Sequence, residues 1–320
     1  MKRLLKLTAA GTVMCLLLSG KSFAQADLLG GQYIFSKVYV NPSFVGTDGR
    51  LNANAYYQMN ESGQASNSYT ISTDVDGLFA NNKSGWGLNL TRSRFGNDSY
   101  TVAYANYAYH VDLSSDLKMS SGVGIGFQQF DISMVQLQTV TENDPAAMNN
   151  VYSSKLDARA GIRLEYSSKF YGGLSFDNLI SVYSNKEDYQ YQVPPMFRKI
   201  NMYALLGANL EYSNGFGFQP SFLFIKTFGG NTAFELNAML EMAKTITFGI
   251  AFRQDIIDLK STNTSDDHST QSIIRPLIQY NVSKTNSLKF GYCYSFNTGR
   301  PTGVGKGSHD LSVVFNLPVK

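Results

Sequence analysis

The chain has 320 residues, 43% of them hydrophobic, 13% aromatic and only 16% charged, with a net charge of +3. The aromatic content excludes a disordered chain, and so small a net charge gives no argument for a nucleic-acid partner. With 21 Phe, 20 Tyr and 28 Gly, and fewer charges than the roughly 25% of ordinary soluble domains, the composition suits an all-β protein, including one embedded in a membrane as a barrel.

Lys2, Arg3 and Lys6 precede an apolar run from Leu7 to Leu18, and Ser22-Phe23-Ala24 places small residues two apart before Gln25. This order predicts a secretory signal peptide over residues 1–24. Cys15 would leave with it, so Cys293 is the remaining cysteine and no internal disulfide is expected. Downstream, no apolar run approaches the roughly 20 residues of a membrane helix, so any crossing must be made by strands. Residues 25–49 come before the first strand pattern. Asn41-Pro42 initiates a turn there, and Gly46 and Gly49 suit tight backbone. The segment reads as a periplasmic or plug element, packed on a rim or tucked inside a lumen, ahead of a barrel over 50–320.

From residue 50 onward apolar residues alternate with polar ones, the period of a strand with two unlike faces. In 286–296, Phe290, Tyr292, Tyr294 and Phe296 oppose Lys289, Gly291, Cys293 and Ser295. In 156–166, Leu156, Ala158, Ala160, Ile162 and Leu164 oppose Asp157, Arg159, Gly161, Arg163 and Glu165. Fourteen such segments begin near 50, 66, 84, 99, 117, 156, 169, 201, 216, 233, 244, 272, 286 and 308. Connections after even segments are short, as at Ser167-Ser168 and Met242-Ala243. Several after odd segments are long, at 131–155, 178–200, 255–271 and 297–307. A sandwich has no cause for that asymmetry, whereas an outer-membrane barrel has tight periplasmic turns and longer outside loops. The predicted fold is therefore a transmembrane antiparallel β-barrel of about 14 strands in the bacterial outer membrane.

In that barrel the Phe, Tyr and Leu faces meet lipid, while Arg159, Arg163, Glu165, Glu235, Glu241, Arg253 and Arg275 point inward. Gly122, Gly124 and Gly126 share one lumen face and leave room for a plug. Pro220 and Pro276 cannot donate ladder hydrogen bonds and are expected to mark bulges.

Catalytic chemistry finds little support. His110 and His309 fall at opposite rims, so they cannot share a triad or a metal. Gly299 to Ser308 lacks the glycine spacing of a phosphate loop, and Asp266-Asp267-His268 reads as a solvated turn. No enzyme activity, cofactor or metal is expected.

The segment Gln32, Tyr33, Phe35, Asn41, Pro42, Ser43, Phe44 and Gly46 resembles the opening of the PorP/SprF family of outer-membrane proteins, linked to type IX secretion and gliding motility. Gly85 to Leu90, Tyr107 to His110, Leu117 to Phe130, Phe170 to Leu179 and Ser308 to Leu311 continue the resemblance in order. Gln58-Met59-Asn60 departs from it, since members often carry a basic residue and a Trp there. The resemblance implies a non-enzymatic protein that assists secretion or surface anchoring of an adhesin-like partner bearing a C-terminal sorting domain. It also implies type IX machinery and periplasmic peptidoglycan-binding proteins as partners. On the residues themselves, Tyr183, Tyr189, Tyr191 and Phe197, with Pro194 and Pro195, offer aromatic contact area for a partner in the 178–200 connection. The competing class is a small porin or uptake channel.

Overall fold

The computed structural model describes residues 31–61, 68–134, 150–180, 182–183, 199–212, 215–228, 230–258, 268–282, 288–298 and 307–318. The expected signal peptide and Gln25 to Gly30 lie outside the described residues, as do Tyr189, Tyr191, Phe197, Asp266 and Asp267.

Fourteen antiparallel strands close into one barrel. In chain order they are β1 Arg50–Asn60, β2 Tyr69–Leu78, β3 Ser84–Phe95, β4 Asp98–Asp112 and β5 Leu117–Ile132. Then come β6 Val151–Tyr166, β7 Phe170–Asp177, β8 Asn201–Ala208, β9 Phe216–Thr227 and β10 Thr232–Met242. The set ends with β11 Ile246–Asp258, β12 His268–Asn281, β13 Leu288–Thr298 and β14 Gly307–Pro318. Strand β1 pairs with β14 from Arg50↔Pro318 to Asn60↔Ser308. Closure leaves no sheet edge at the seam to be exposed to hydrocarbon.

The alternation read from the sequence matches the two faces. Ile125 is 63% exposed and Leu206 58%, while Glu235 and Asp157 on the inner side are fully buried. Exposed aliphatics and buried charges invert the pattern of a soluble domain, and this is what a lipid exterior around a filled polar lumen requires. Two strands run further than the alternation suggested. Strand β6 starts at Val151, because Val151 to Lys155 continue its ladder with Ile132 to Gln128 of β5, and β12 starts at His268.

Neither proline marks a bulge. Pro276 interrupts the β12–β13 ladder between Ile274↔Phe296 and Leu277↔Cys293 without changing its register, and it still sits opposite Ile250 of β11. Pro220 likewise breaks only the β8 side, where Leu210-Glu211 resume pairing with β9 in unchanged register after Ala208. Each ring removes one donor from one side, and the wall carries the loss without inserting a residue.

Short connections gather at one end of the barrel, at 79–83, 113–116, 167–169, 212–215, 243–245 and 282–287. Ser167-Ser168 and Ala243-Lys244 make two-residue turns with positive φ throughout, 52°, 54°, 51° and 54°. Such turns match the twist of the strands they join. The opposite end carries the long connections, with two exceptions at Gly96-Asn97 and 228–231.

Candidate functional site

Residues 31–46, ahead of β1, lie inside the barrel. A helical turn Gln32–Phe35 and two short 3-10 turns, Lys37–Tyr39 and Pro42–Phe44, run down the lumen until Arg50 opens β1 at the short-turn end. Tyr33, Val38, Val40, Asn41, Ser43 and Val45 are all buried. This segment is the plug. Its two halves meet two different walls.

The lower half is the turn Asn41 to Gly46. Asn41 Oδ1 accepts from the Ser43 backbone N–H at 2.9 Å and from Ser43 Oγ at 2.6 Å, which closes the turn as a side-chain cap. Asn41 Nδ2 donates across to the carbonyl of Ile162 on β6 at 3.1 Å, and Ser175 Oγ of β7 donates to the Val40 carbonyl at 2.5 Å. Main chain comes this close to the wall because the wall lacks side chains there. A Cβ at Gly122 would collide with Pro42 and Ser43, one at Gly161 with Asn41, and one at Gly85 with the Val45 carbonyl. A Cβ at Gly173 would stand 2.8 Å from Asn41 Nδ2. Gly46 has φ of 73° and donates its N–H to Asp76 Oδ2 at 2.8 Å, a conformation and a fit that a side chain would oppose. Of the three glycines predicted to leave room, Gly122 faces the plug. Gly124 faces Asn106 and Arg159, and Gly126 faces Tyr104 and the Ala103 carbonyl.

The upper half meets aliphatic side chains and ions. Tyr33, Ile34 and Val38 belong to a buried apolar cluster with Tyr203 and Leu205 of β8, Leu223 and Ile225 of β9, Ala233 of β10, Ala251 of β11, Leu277 of β12 and Cys293 of β13. Asn237 Nδ2 of β10 donates to the Tyr33 hydroxyl at 2.6 Å. Burial, with the Glu235 carboxylate nearby, pushes the Tyr33 phenol well above its usual range. Glu235 itself pairs with Arg275 Nη1 of β12 at 2.8 Å, and Arg275 Nε donates to Ser295 at 3.1 Å. At the top, the Gly31 N–H donates to the Tyr56 hydroxyl at 3.2 Å.

Between the halves lies Arg159 of β6. Its Nε donates to Asn106 Oδ1 and its Nη2 to Asn89 Oδ1, both at 2.8 Å. Its Nη1 donates to the Tyr39 carbonyl of the plug at 3.2 Å, and its guanidinium stacks over the Tyr104 ring, 4.6 Å from the centroid. Arg163, paired with Glu165, covers the Phe44 ring at 4.9 Å. Arg253 pairs with Asp255 at 2.9 Å. Arg159 and Arg163 therefore hold the plug, and Arg163, Arg253 and Arg275 each pair with an acid.

Of the residues singled out in the sequence, Tyr33, Asn41, Pro42 and Gly46 come together in this plug, and Gln32 opens its helical turn. Tyr183 is placed by its backbone, which pairs with Lys155 beyond the end of β7, so its main chain is part of the wall. His110 bonds Ser120 at 2.8 Å near the short-turn end, while His309 bonds Tyr292 at 2.8 Å and Glu61 at 3.0 Å near the other. Among the described residues no group of three or more His, Cys, Asp or Glu is placed to hold a metal.

These features define a class: a bacterial outer-membrane β-barrel whose own N-terminal segment occupies its lumen. The family described as type IX secretion system membrane protein PorP/SprF matches residues 22–315, and the chain belongs to that family. No curated protein matches it. Among solved structures, the CymD monoaromatic hydrocarbon channel is similar with a TM-score of 0.53 at 9% identity, covering 92% of this chain and 94% of that one. A Pseudomonas aeruginosa FadL homologue reaches 0.52 at 11% identity, covering 94% and 96%. At such identities the likeness is one of barrel fold.

Proposed function

We propose that this barrel assists secretion or surface anchoring of a partner protein with a C-terminal sorting domain, working with type IX machinery and periplasmic peptidoglycan-binding proteins. Family membership supports the secretion setting. The observation that carries the reading is the plug, because inner-face groups that a porin would turn toward water are engaged in holding it. Asn41 and Ser43 are almost fully removed from solvent, which favours a scaffold over a small porin. The long-connection end faces outward in this reading. Tyr183, Tyr189, Tyr191 and Phe197 are the proposed contacts, since aromatic side chains supply large apolar area at low entropy cost.

Surface proteomics on a gene-deletion strain tests this. The expected result is one surface protein lost to the medium or left unsecreted, with small-solute uptake unchanged. An intact surface proteome with impaired uptake of a small solute, together with steady conductance of the purified barrel in planar bilayers, would overturn it in favour of the channel.

A further inference from the structure

A chain of buried polar contacts starts at the plug and ends at the base of the β7–β8 connection. It begins where Arg159 holds the Tyr39 carbonyl and lies over the Tyr104 ring. The Tyr104 hydroxyl donates to the Asp157 carboxylate. Gln128 Nε2 donates to Asp157 Oδ2 at 2.5 Å and also to Asn178 Oδ1, while the Tyr100 hydroxyl donates to Gln128 Oε1. Asn178 closes the chain by donating its Nδ2 to the Lys199 carbonyl at 2.7 Å. Residues 178 and 199 flank the β7–β8 connection, and the Asn178 side chain joins them to each other and to the lumen network.

Asn178 is built for that place. It has φ of 59°, a left-handed conformation that asparagine adopts more readily than other residues with a side chain, and it is only 2% exposed. The turn lets the chain leave β7 at Asp177 yet stay on β6, with the Leu179 N–H donating to the Ala158 carbonyl at 3.0 Å. The next pairing, Lys155↔Tyr183 and Leu156↔Val182, is offset by two residues from the β6–β7 register. The position of this offset segment thus depends on a side chain gripped from inside the lumen. The groups that grip it, Gln128, Asp157 and Tyr104, are buried as deeply as the plug. Low-dielectric networks of this kind are cooperative, because freeing one member leaves its neighbours unsatisfied.

We infer that this network is a relay: seating the plug's turn near the short-turn end fixes the base of the β7–β8 connection at the other end. The relay runs through Arg159, which touches both the plug main chain and Tyr104. It is a property of the barrel alone and holds whether or not a partner protein binds, so its failure and the failure of the proposed function are separate results.

The test is amide hydrogen exchange on the purified full-length protein in lipid nanodiscs. Gly122→Val pushes Pro42 and Ser43 off their seat, and Arg159→Gln cuts the relay. Each is expected to speed exchange at Leu179 about tenfold, within the range of typical site-to-site coupling. The double variant should exchange at Leu179 no faster than Arg159→Gln alone. Coupling is reciprocal, so Asn178→Ala should speed exchange at the Asn41 amide, which bonds the Lys37 carbonyl at 3.0 Å. Amides of β11 and β12 serve as the control for an intact barrel. If Gly122→Val does not fold, Asn41→Ala takes its place. An unchanged Leu179 rate in the plug variant, additive rates in the double variant, or no response at Asn41 to Asn178→Ala would each overturn the relay.

Discussion

The plug is held by two walls of different chemistry. On β3, β5, β6 and β7 the inner face opens at Gly85, Gly122, Gly161 and Gly173, so the main chain of the Asn41–Gly46 turn comes against the wall and Asn41 bonds it directly, while Phe44 packs between Tyr171 and Arg163. On β8 to β13 the inner face keeps Leu205, Leu223, Ile225 and Leu277 and adds the Glu235–Arg275 pair, and Tyr33, Ile34 and Val38 pack into it by side chain. A turn whose carbonyls and N–H groups need partners must approach closely, which glycine permits. A helical turn that shows its side chains needs volume to fill instead. One segment with two faces has produced two kinds of lumen wall on one barrel.

The largest effect should come from the aliphatic wall. Arg275→Met leaves the Glu235 carboxylate buried without its cation, and removing one partner of such a pair costs about 3–5 kcal/mol. Adding Glu235→Leu should recover most of that loss. Urea unfolding in lipid vesicles, followed by the fluorescence of Trp86, the single tryptophan, gives both numbers. A single variant as stable as the parent would mean that the pair does not hold this wall.

The exterior should ignore the distinction. Ile125 lies behind the glycine wall and Phe248 behind the aliphatic one, and both are exposed to lipid. Arg at either position should cost about 2–4 kcal/mol if it sits near the bilayer midplane, whereas Thr247→Arg, on the inner side, should be milder. Equal folding defects at Phe248 and Thr247, read by heat-modifiable gel mobility, would contradict the assigned faces.

Gly122→Ala probes the glycine wall. The added methyl has no space beside Pro42 and Ser43, and overpacking of this kind costs about 1–3 kcal/mol. The same urea assay should register it, and deletion of residues 31–46 in the same background should abolish the difference between Gly and Ala.

Tyr33→Phe should have the smallest effect, about 1 kcal/mol for the bond from Asn237. It also carries a pH signature. The folded-state pKa of Tyr33 lies above that of the unfolded chain. Its contribution is therefore complete below the ordinary tyrosine value near 10 and is lost as pH rises beyond it. The parent should lose more stability than Tyr33→Phe between about pH 9 and pH 11, and parallel pH profiles would remove the phenol from the account.

Much of this was legible in the residues. Period-2 alternation gave fourteen strands and their faces, because a lipid exterior and a filled lumen impose opposite polarity at every second position. The charged inner set from Arg159 to Arg275 followed from the same rule. The sequence FLFI at 222–225 was harder, since both of its faces are apolar. Phe222 and Phe224 lie on the outer side, but nothing local reveals that Leu223 and Ile225 join the buried cluster of a plug nearly 180 or more positions away in sequence.

The sequence by itself therefore determined the barrel, its strand number and which side chains face lipid, for these depend on local periodicity and on the length of each connection. Only the tertiary structure decided which inner residues become partners. Arg159 found two asparagines and a carbonyl rather than a carboxylate, Glu235 found Arg275 forty positions on, and Asn41 found Ile162. Those choices depend on the stagger of the strands around the closed wall and on how far the plug descends inside it, and both are fixed only when the whole circle of pairings is complete.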